Sequence, residues 1–279
     1  YYLIHRADLH DGLAARVRAN DPDAIQLGKR CASLVQDAGG VSISFTDGST
    51  ARVDVLVGAD GSRSAVRNAV FGALEPLYTG YIAWRGLIPM HLVPQEILDP
   101  PSGIFLGPGH MVNRYPVRNG ELLNFVAFAE RKDWSEEGWS IRSTVAELLA
   151  EFEGWTPWVT RFIELVPPDL LYKWGLFDRD PLPTWTRGRS TLLGDAAHAM
   201  PPFTGQGAVM ALEDAAVLGR VATAAADPDD ALRRYEAARH PRVTAALVMS
   251  RARALTYFAD DPAQQVRALG AGMAELRTL

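Results

Sequence analysis

The stretch "STLLGDAAHAMPPFTGQGAVMALEDA", Ser190 to Ala215, leaves the chain around it little freedom. Its apolar opening suits a buried strand, Thr191 to Leu193, and from about Gln206 its composition is that of a helix. Between them stand Gly194-Asp195, the adjacent Pro201 and Pro202, and the glycines Gly205 and Gly207. A carboxylate is awkward inside a core, but just past a buried strand it is well placed to hold a ligand hydroxyl. Each proline removes a donor and restricts the backbone, so the loop is stiff. The glycines let the main chain approach a flat or bulky ligand, and the following helix aims its positive end at it. Such a loop suits a ligand that gains negative charge. A plain strand-to-helix turn would explain the glycines but neither the acid nor the prolines.

A second place of this kind is "VDVLVGADGSRSAVRNAVFG". The pattern predicts a buried strand from Val53 to Val57 that ends at Gly58, a tight turn through Asp60-Gly61, and a helix capped by Ser62 and bearing Arg63 and Arg67. A strand, a glycine turn and a helix N-terminus bind phosphate or sugar oxygens at the carboxyl edge of a sheet. Asp60 would accept hydrogen bonds and the arginines would face anionic oxygens. Spacing alone equally allows a simple turn followed by a solvated, basic helix face.

Composition limits the partners. The chain has 279 residues, 48% of them hydrophobic and 22% charged, which is enough for one large or two modest cores. A net charge of -5 without a long basic run argues against nucleic acid and against an anionic membrane surface. Cys31 is the only cysteine, so an internal disulfide is impossible, no metal site is expected, and a reducing compartment, the cytoplasm, fits. No run approaches the roughly 18 apolar residues of a membrane span, and the start does not read as a signal peptide.

Three stretches differ in character. Residues 1–72 begin with a helix whose Leu9, Leu13, Ala14 and Val17 fall at helical spacing. An antiparallel meander follows, punctuated by Gly39-Gly40 and by Asp47-Gly48, a strong hairpin signal. Residues 73–186 hold strands rich in aromatics and the helical "IRSTVAELLAEFEGW". Residues 187–279 hold the first stretch described, a helix to about Ala226, a second helical segment from Asp229 to about Tyr257, and a helical pattern continuing to the end.

Taken together, "DVLVGADGSRSAVR" resembles the second dinucleotide motif, and "GRSTLLGDAAHAMPPFTGQGAVMALEDA" the Gly-Asp flavin motif, of the single-component FAD-dependent aromatic hydroxylases related to salicylate and hydroxybenzoate monooxygenases. "HRADLHDGL", "WGLFDRDPLPTW" and "YEAARHPRV" are similar to that family as well, so the resemblance covers nearly the whole chain. It implies a mixed α/β fold: a Rossmann-like FAD-binding domain built from residues 1–72 and 187–279, the latter carrying C-terminal helices, and an inserted substrate domain of sheet plus helices over 73–186. It implies FAD as cofactor, NADH or NADPH as reductant, and hydroxylation of a small aromatic, phenolic or hydroxy-acid substrate with O2 through a C4a-hydroperoxyflavin. A monomer or a homodimer would serve.

Residue by residue, the resemblance gives Arg6 to the phosphate and ribose side of FAD. Asp60, with Gly61, would serve FAD and nicotinamide nucleotide, and Asp195 the ribityl hydroxyls. Pro202, Gly205, Gln206 and Gly207 would lie along the isoalloxazine ring. Reduced flavin carries negative charge at its N1 and O2 edge, which answers the helix N-terminus. In the middle region Arg85 can pair with a substrate carboxylate, while Tyr115, Tyr172 and Trp174 can stack on or border its ring, and Tyr172 and Trp174 are also candidates for a catalytic role. His198 has an acid-base range suited to catalysis, yet in this motif a loop-holding role fits it better. His110 is a further, weaker candidate for the pocket, and Asp178-Arg179-Asp180 reads as a charged turn.

One departure from the family is large. The G-x-G-x-x-G turn and its βαβ unit are missing, since Gly107-Pro108-Gly109 and Gly205-Gln206-Gly207 both lack the third glycine. With Tyr1 in place of an initiating Met, the expectation is that this unit precedes the present chain. Rival readings are a flavoprotein reductase or epoxidase on the same scaffold, and a non-catalytic flavin-binding module.

Overall fold

A computed structural model describes residues 2–134, 141–261 and 263–267. The chain opens with α1 (Arg6–Asn20), β1 (Cys31–Asp37), β2 (Gly40–Phe45), β3 (Thr50–Val53), β4 (Leu56–Gly58) and α2 (Ala65–Phe71). There follow β5 (Leu77–Pro89), β6 (Gly103–Gly107), β7 (His110–Val117), β8 (Leu122–Glu130), β9 (Ile141–Arg142), α3 (Val145–Glu151) and α4 (Pro157–Ile163). The last elements are β10 (Tyr172–Asp178), β11 (Thr186–Arg187), β12 (Ser190–Leu192), α5 (Asp195–His198), α6 (Gly207–Ala224) and α7 (Pro228–Tyr257). Of the continuing C-terminal helical pattern, residues 263–267 are helical and 268–279 lie outside the described residues.

Two compact units emerge. One holds the N-terminal stretch through Ile25, Tyr78–Leu176 and the described residues from Leu255 on, while the other holds Gln26–Leu77 and Phe177–Ala254. In this division the chain passes between units at 25/26, 77/78, 176/177 and 254/255, and α1 groups with the middle region and not with the meander that follows it in sequence. Within that unit Arg118, in the turn after β7, grips Asp8 of α1: its Nε and Nη2 donate to the carboxylate, the two shortest bonds being 2.9 and 2.7 Å. The apolar stripe of α1 does not form a core, because no residue of the helix is buried and Leu13 and Val17 remain 51% and 42% exposed.

In the unit built on Gln26–Leu77 and Phe177–Ala254, β1, β2 and β3 form the expected antiparallel meander. A separate three-stranded sheet has the order β11-β12-β4, with β12 parallel to β4 and Leu192 opposite Gly58. The strand expected over Val53–Val57 is therefore two strands. Val53 ends the meander, and Leu56 opens the second sheet because it needs a different, parallel partner. Gly58 is where β4 meets α2 and β12: an added Cβ would lie 2.7 Å from Val66 Cγ1 and 2.9 Å from Leu192 Cδ2. Val66, Val70, Trp185, Leu192, Met210, Tyr235 and Val243 make the core here. The Tyr235 hydroxyl, buried among them, donates to the Leu192 carbonyl at 3.0 Å.

The other unit carries a six-stranded sheet of order β6-β7-β8-β5-β10-β9. Successive strand residues point to opposite faces. Trp84, Val112, Leu123, Phe125 and Ala127 point to one face and pack with Leu148 and Phe152 of the α3 region and with Val159, Phe162 and Ile163 of α4. Burying each large side chain of this kind stabilises by about 1.5–3 kcal/mol. The helix expected over 141–155 is shorter than its pattern, since Ile141-Arg142 pair with β10 and Thr144 caps α3 by accepting from Glu147 N. The helix α4, started by Thr156 and Pro157, was not anticipated from the sequence.

Candidate functional site

The Ser190–Ala215 stretch folds as strand β12, a one-turn helix α5, a stiff loop and helix α6. Gly194 links β12 to α5 at φ 61°, ψ -142°, a backbone position that only glycine adopts without strain. Asp195, the first residue of α5, is exposed, and its carboxylate makes no hydrogen bond among the described residues. Pro202–Thr204 form a 3-10 turn, Gly205 follows at φ 66°, and α6 begins at Gly207 without a side-chain cap. Its first-turn N-H groups are therefore left for water or a ligand. Packing does not demand glycine at 207, where an added Cβ would meet only Met200 Cγ at 3.8 Å.

A buried ionic network holds this loop. Asp214 of α6 accepts from His198 Nε2 at 2.7 Å, from Gly194 N at 3.2 Å and from Arg239 Nε at 2.8 Å. Arg239 also reaches Glu213, which Arg242 grips with two bonds. Burial pushes the Asp214 carboxyl up, but the hydrogen bonds from His198 and Arg239 outweigh it and hold the group below its ordinary range. His198, a candidate acid or base, is only 3% exposed and serves as a strut of the loop. From α7, Ser250 Oγ donates to the Pro201 carbonyl at 2.6 Å.

Asp60 is engaged by its own helix. It accepts from Ser64 Oγ at 2.5 Å, from Ala65 N at 2.7 Å and from Val66 N at 3.2 Å. The cap of α2 is Ser64, whose Oγ accepts from Arg67 N, and not Ser62 as expected; the turn through Gly61, at φ 79°, delays the helix by two residues. Arg67 does not face solvent or an anion. It is 1% exposed and donates to the carbonyls of Ala196 and Ser62, tying α2 to α5. Burial, with Arg179 nearby, lowers its pKa to about 10. The Asp178-Arg179-Asp180 turn is structural: both acids pair with Arg251, and Arg179 donates to the Leu74 and Ser62 carbonyls.

In the sheet unit, Arg6 is exposed and makes no hydrogen bond among the described residues. The four middle-region candidates share the sheet face away from α3 and α4. Arg85 lies opposite Val126, which lies opposite Asn113, and Leu87, Asn124 and Tyr115 form the next row. The Arg85 guanidinium stands 5.7 Å over the Trp174 ring, which puts Trp174, and Tyr172 two residues earlier, on that face as well. Sequence reasoning missed Asn124, which is 7% exposed and whose Nδ2 has no hydrogen-bond partner among the described residues. His110 belongs to the opposite face, where it bonds Glu151 at 2.7 Å and the Pro108 carbonyl at 2.8 Å and packs edge-on against Phe152 and Trp155. Among the described residues, no group of three or more His, Cys, Asp or Glu side chains could hold a metal, and no helix is long and apolar enough to cross a membrane.

The family described as FAD binding domain matches residues 7–250. The 3-amino-4-hydroxybenzoate 2-monooxygenase PtmB3 of Streptomyces platensis is 39% identical over 95% of this chain and 66% of its own length. The salicylate hydroxylase of Pseudomonas putida is 36% identical over 86% of this chain and 59% of its own. Among solved structures, Klebsiella pneumoniae HpxO complexed with FAD and uric acid superposes with a TM-score of 0.83 at 35% identity, covering 98% of this chain and 68% of that one. The chain thus spans 59–66% of the length of these curated relatives, less than two thirds.

The residues present fit a flavin nucleotide. Among the described residues, Asp195 offers an unpaired, accessible acceptor for hydroxyls, the uncapped start of α6 offers N-H donors, and the buried Thr204 hydroxyl beside it has no partner. On the extent of the family match and on this fit, the chain belongs to the FAD binding domain family, alongside aromatic-ring monooxygenases.

Proposed function

We propose that this chain is the body of a cytoplasmic hydroxylase that binds FAD and uses NADH or NADPH and O2 to hydroxylate a small aromatic acid. The observation that carries this reading is the pairing of Asp195, partnerless among the described residues, with the uncapped N-terminus of α6, both fixed by the buried Asp214 network. FAD, when bound, supplies the redox chemistry, taking electrons from the nicotinamide and activating O2.

The chain's own residues bind and orient. Asp195 accepts from the ribityl hydroxyls, while Pro202, Gly205, Gln206 and Gly207 keep a flat, side-chain-poor surface whose N-H groups meet developing negative charge. Arg6 pairs with phosphate. Asp60 acts through α2: its carboxylate is engaged there, so its part in nucleotide binding is to fix the turn at Gly61. On the sheet, Arg85 takes the substrate carboxylate and Tyr115, Tyr172 and Trp174 border the ring. No general base is assigned, because His198 and His110 are both engaged elsewhere.

The test is the absorption spectrum of the purified chain after FAD is added and the excess removed, followed by product analysis. Retained flavin, and NAD(P)H oxidation stimulated by an aromatic acid with O2 uptake and a hydroxylated product, are expected. A colourless protein would end the FAD reading for this chain, and NAD(P)H oxidation without hydroxylated product would favour a reductase.

A further inference from the structure

Among the described residues of the substrate-side sheet face, Asn124 has a polar group that is both buried and unanswered. It lies in the middle of β8, directly opposite Tyr115 on β7 and Leu87 on β5. Its side chain is held in apolar company, with Val126 and Phe128 following on the same strand face and Leu87 across from it. A buried amide N-H without an acceptor is costly, and an apolar residue of the same shape would avoid that cost. One row away, diagonal to Asn124, stands Arg85, exposed and without an ion-pair partner among the described residues. Diagonal neighbours on adjacent strands are roughly 7–8 Å apart, a gap that one bridging oxygen group and an arginine's reach close. The Arg85 guanidinium is meanwhile steadied over Trp174, so a cation and a neutral donor flank an aromatic surface.

We propose that Asn124 is a specificity-determining residue that, with Arg85, holds the anionic oxygen substituent of the aromatic substrate. Its unpaired N-H finds its acceptor only when such a ligand is bound. This rests on the reading of this sheet face as the aromatic-binding surface. The two donors differ in task. Arg85 supplies charge, which any anion satisfies, whereas Asn124 is fixed in direction by the packed strand and therefore selects where on the ring the oxygen stands. A ring lacking that oxygen leaves a buried donor unpaired, which is the strongest form of discrimination available to a pocket.

The experiment is calorimetric titration of the full chain with 4-hydroxybenzoate and with phenol, on the wild type, Asn124→Leu and Asn124→Asp, alongside thermal melts without ligand. The wild type is expected to prefer the acid. Asn124→Leu should weaken the acid about tenfold, the scale of one hydrogen bond to a charged group, and leave phenol within about twofold. It should also melt no lower than the wild type, since it removes an unanswered polar group; a structural asparagine would melt lower. Asn124→Asp keeps the shape and should weaken the acid further by repulsion. Equal loss of both ligands, or an unchanged preference in Asn124→Leu, overturns the role of Asn124 alone. A wild type that binds neither aromatic overturns the reading of the face, and the role of Asn124 with it.

Discussion

His198 Nε2 and Asp214 Oδ2 stand 2.7 Å apart, and the two side chains are 3% and 0% exposed. The contact joins the end of α5 to the second turn of α6, on either side of the proline loop. The same carboxylate holds Gly194 N and Arg239, so one buried acid fixes both ends of the loop that carries Asp195. A buried charge is tolerated only when paired and hydrogen-bonded, and here both oxygens are.

Removing that acid should be severe. Asp214→Ala leaves the Arg239 guanidinium short of a buried acceptor and strands Gly194 N and His198 Nε2. Breaking one side of a buried pair costs about 3–5 kcal/mol. Asp214→Asn, which keeps one acceptor, should cost less. Urea unfolding of the two variants checks this, and a loss below about 1 kcal/mol in Asp214→Ala would show that the loop is held by other means.

His110 should give the sheet unit a pH-dependent contribution to stability. Both ring nitrogens face acceptors, Glu151 and the Pro108 carbonyl, so the charged ring donates from both. Burial opposes that charge and Arg131, which also bonds Glu151, repels it, yet the two hydrogen bonds win and raise the His110 pKa. Glu130 abuts the same turn through its backbone N-H to Gly109. A raised folded pKa means stability fully present below the unfolded value of about 6.5 and lost as pH climbs through the folded value. Glu151 runs the other way: burial pushes its carboxyl up, its bonds from His110 and Arg131 pull it lower still, and its contribution is lost as pH falls through that depressed value. Both are in force between about pH 4.3 and 6.5. The wild type should therefore lose more stability between pH 5.5 and 8.5 than His110→Gln does, and equal losses in melting experiments would remove His110 as the cause.

How far the sequence carried this picture depended on whether a feature was local. The Gly194-Asp195 turn, the α6 start at Gln206-Gly207 and the meander with its Asp47-Gly48 turn are set by residues next to one another, and all were legible. The split between β3 and β4 was not, since it depends on β12, more than a hundred residues away, offering Leu56 a parallel partner. The cap of α2 is not legible in the sequence, since Ser62 and Ser64 have the same chemistry and only the Asp60 contacts separate them. Arg67 read as a solvated or anion-facing residue, as its partner is the distant Ala196 carbonyl. Asn124 was within reach. The hairpin turn at Arg118–Gly120 fixes the register that sets it opposite Tyr115, and strand parity then puts it beside Arg85.

The cap of α2 offers a coupled pair. Asp60 and Ser64 each accept from helix N-H groups and also bond each other at 2.5 Å. Asp60→Ala and Ser64→Ala should each cost about 1 kcal/mol, the usual worth of an N-cap. The double variant should cost less than the sum, because each single change already disturbs the shared bond. Strict additivity in urea unfolding would mean that the two caps act independently.

Asp195 should behave in the opposite way to Asp214, although the two are parts of one loop. It is exposed and makes no hydrogen bond among the described residues, so its replacement removes nothing from the folded chain. Surface changes of that kind stay within about 0.5 kcal/mol. An acceptor with no structural partner is retained at no benefit to the fold, so its effect should fall on the ligand. Asp195→Ala is expected to weaken FAD about tenfold in a flavin fluorescence titration, the scale of a charge-assisted hydrogen bond, while leaving the urea midpoint unmoved. Asp195→Asn, which retains an oxygen acceptor without charge, should fall between. If Asp195→Ala instead destabilises the chain and binds FAD as the wild type does, the acid belongs to the scaffold, and the flavin assignment of the loop would have to rest on the α6 N-terminus alone.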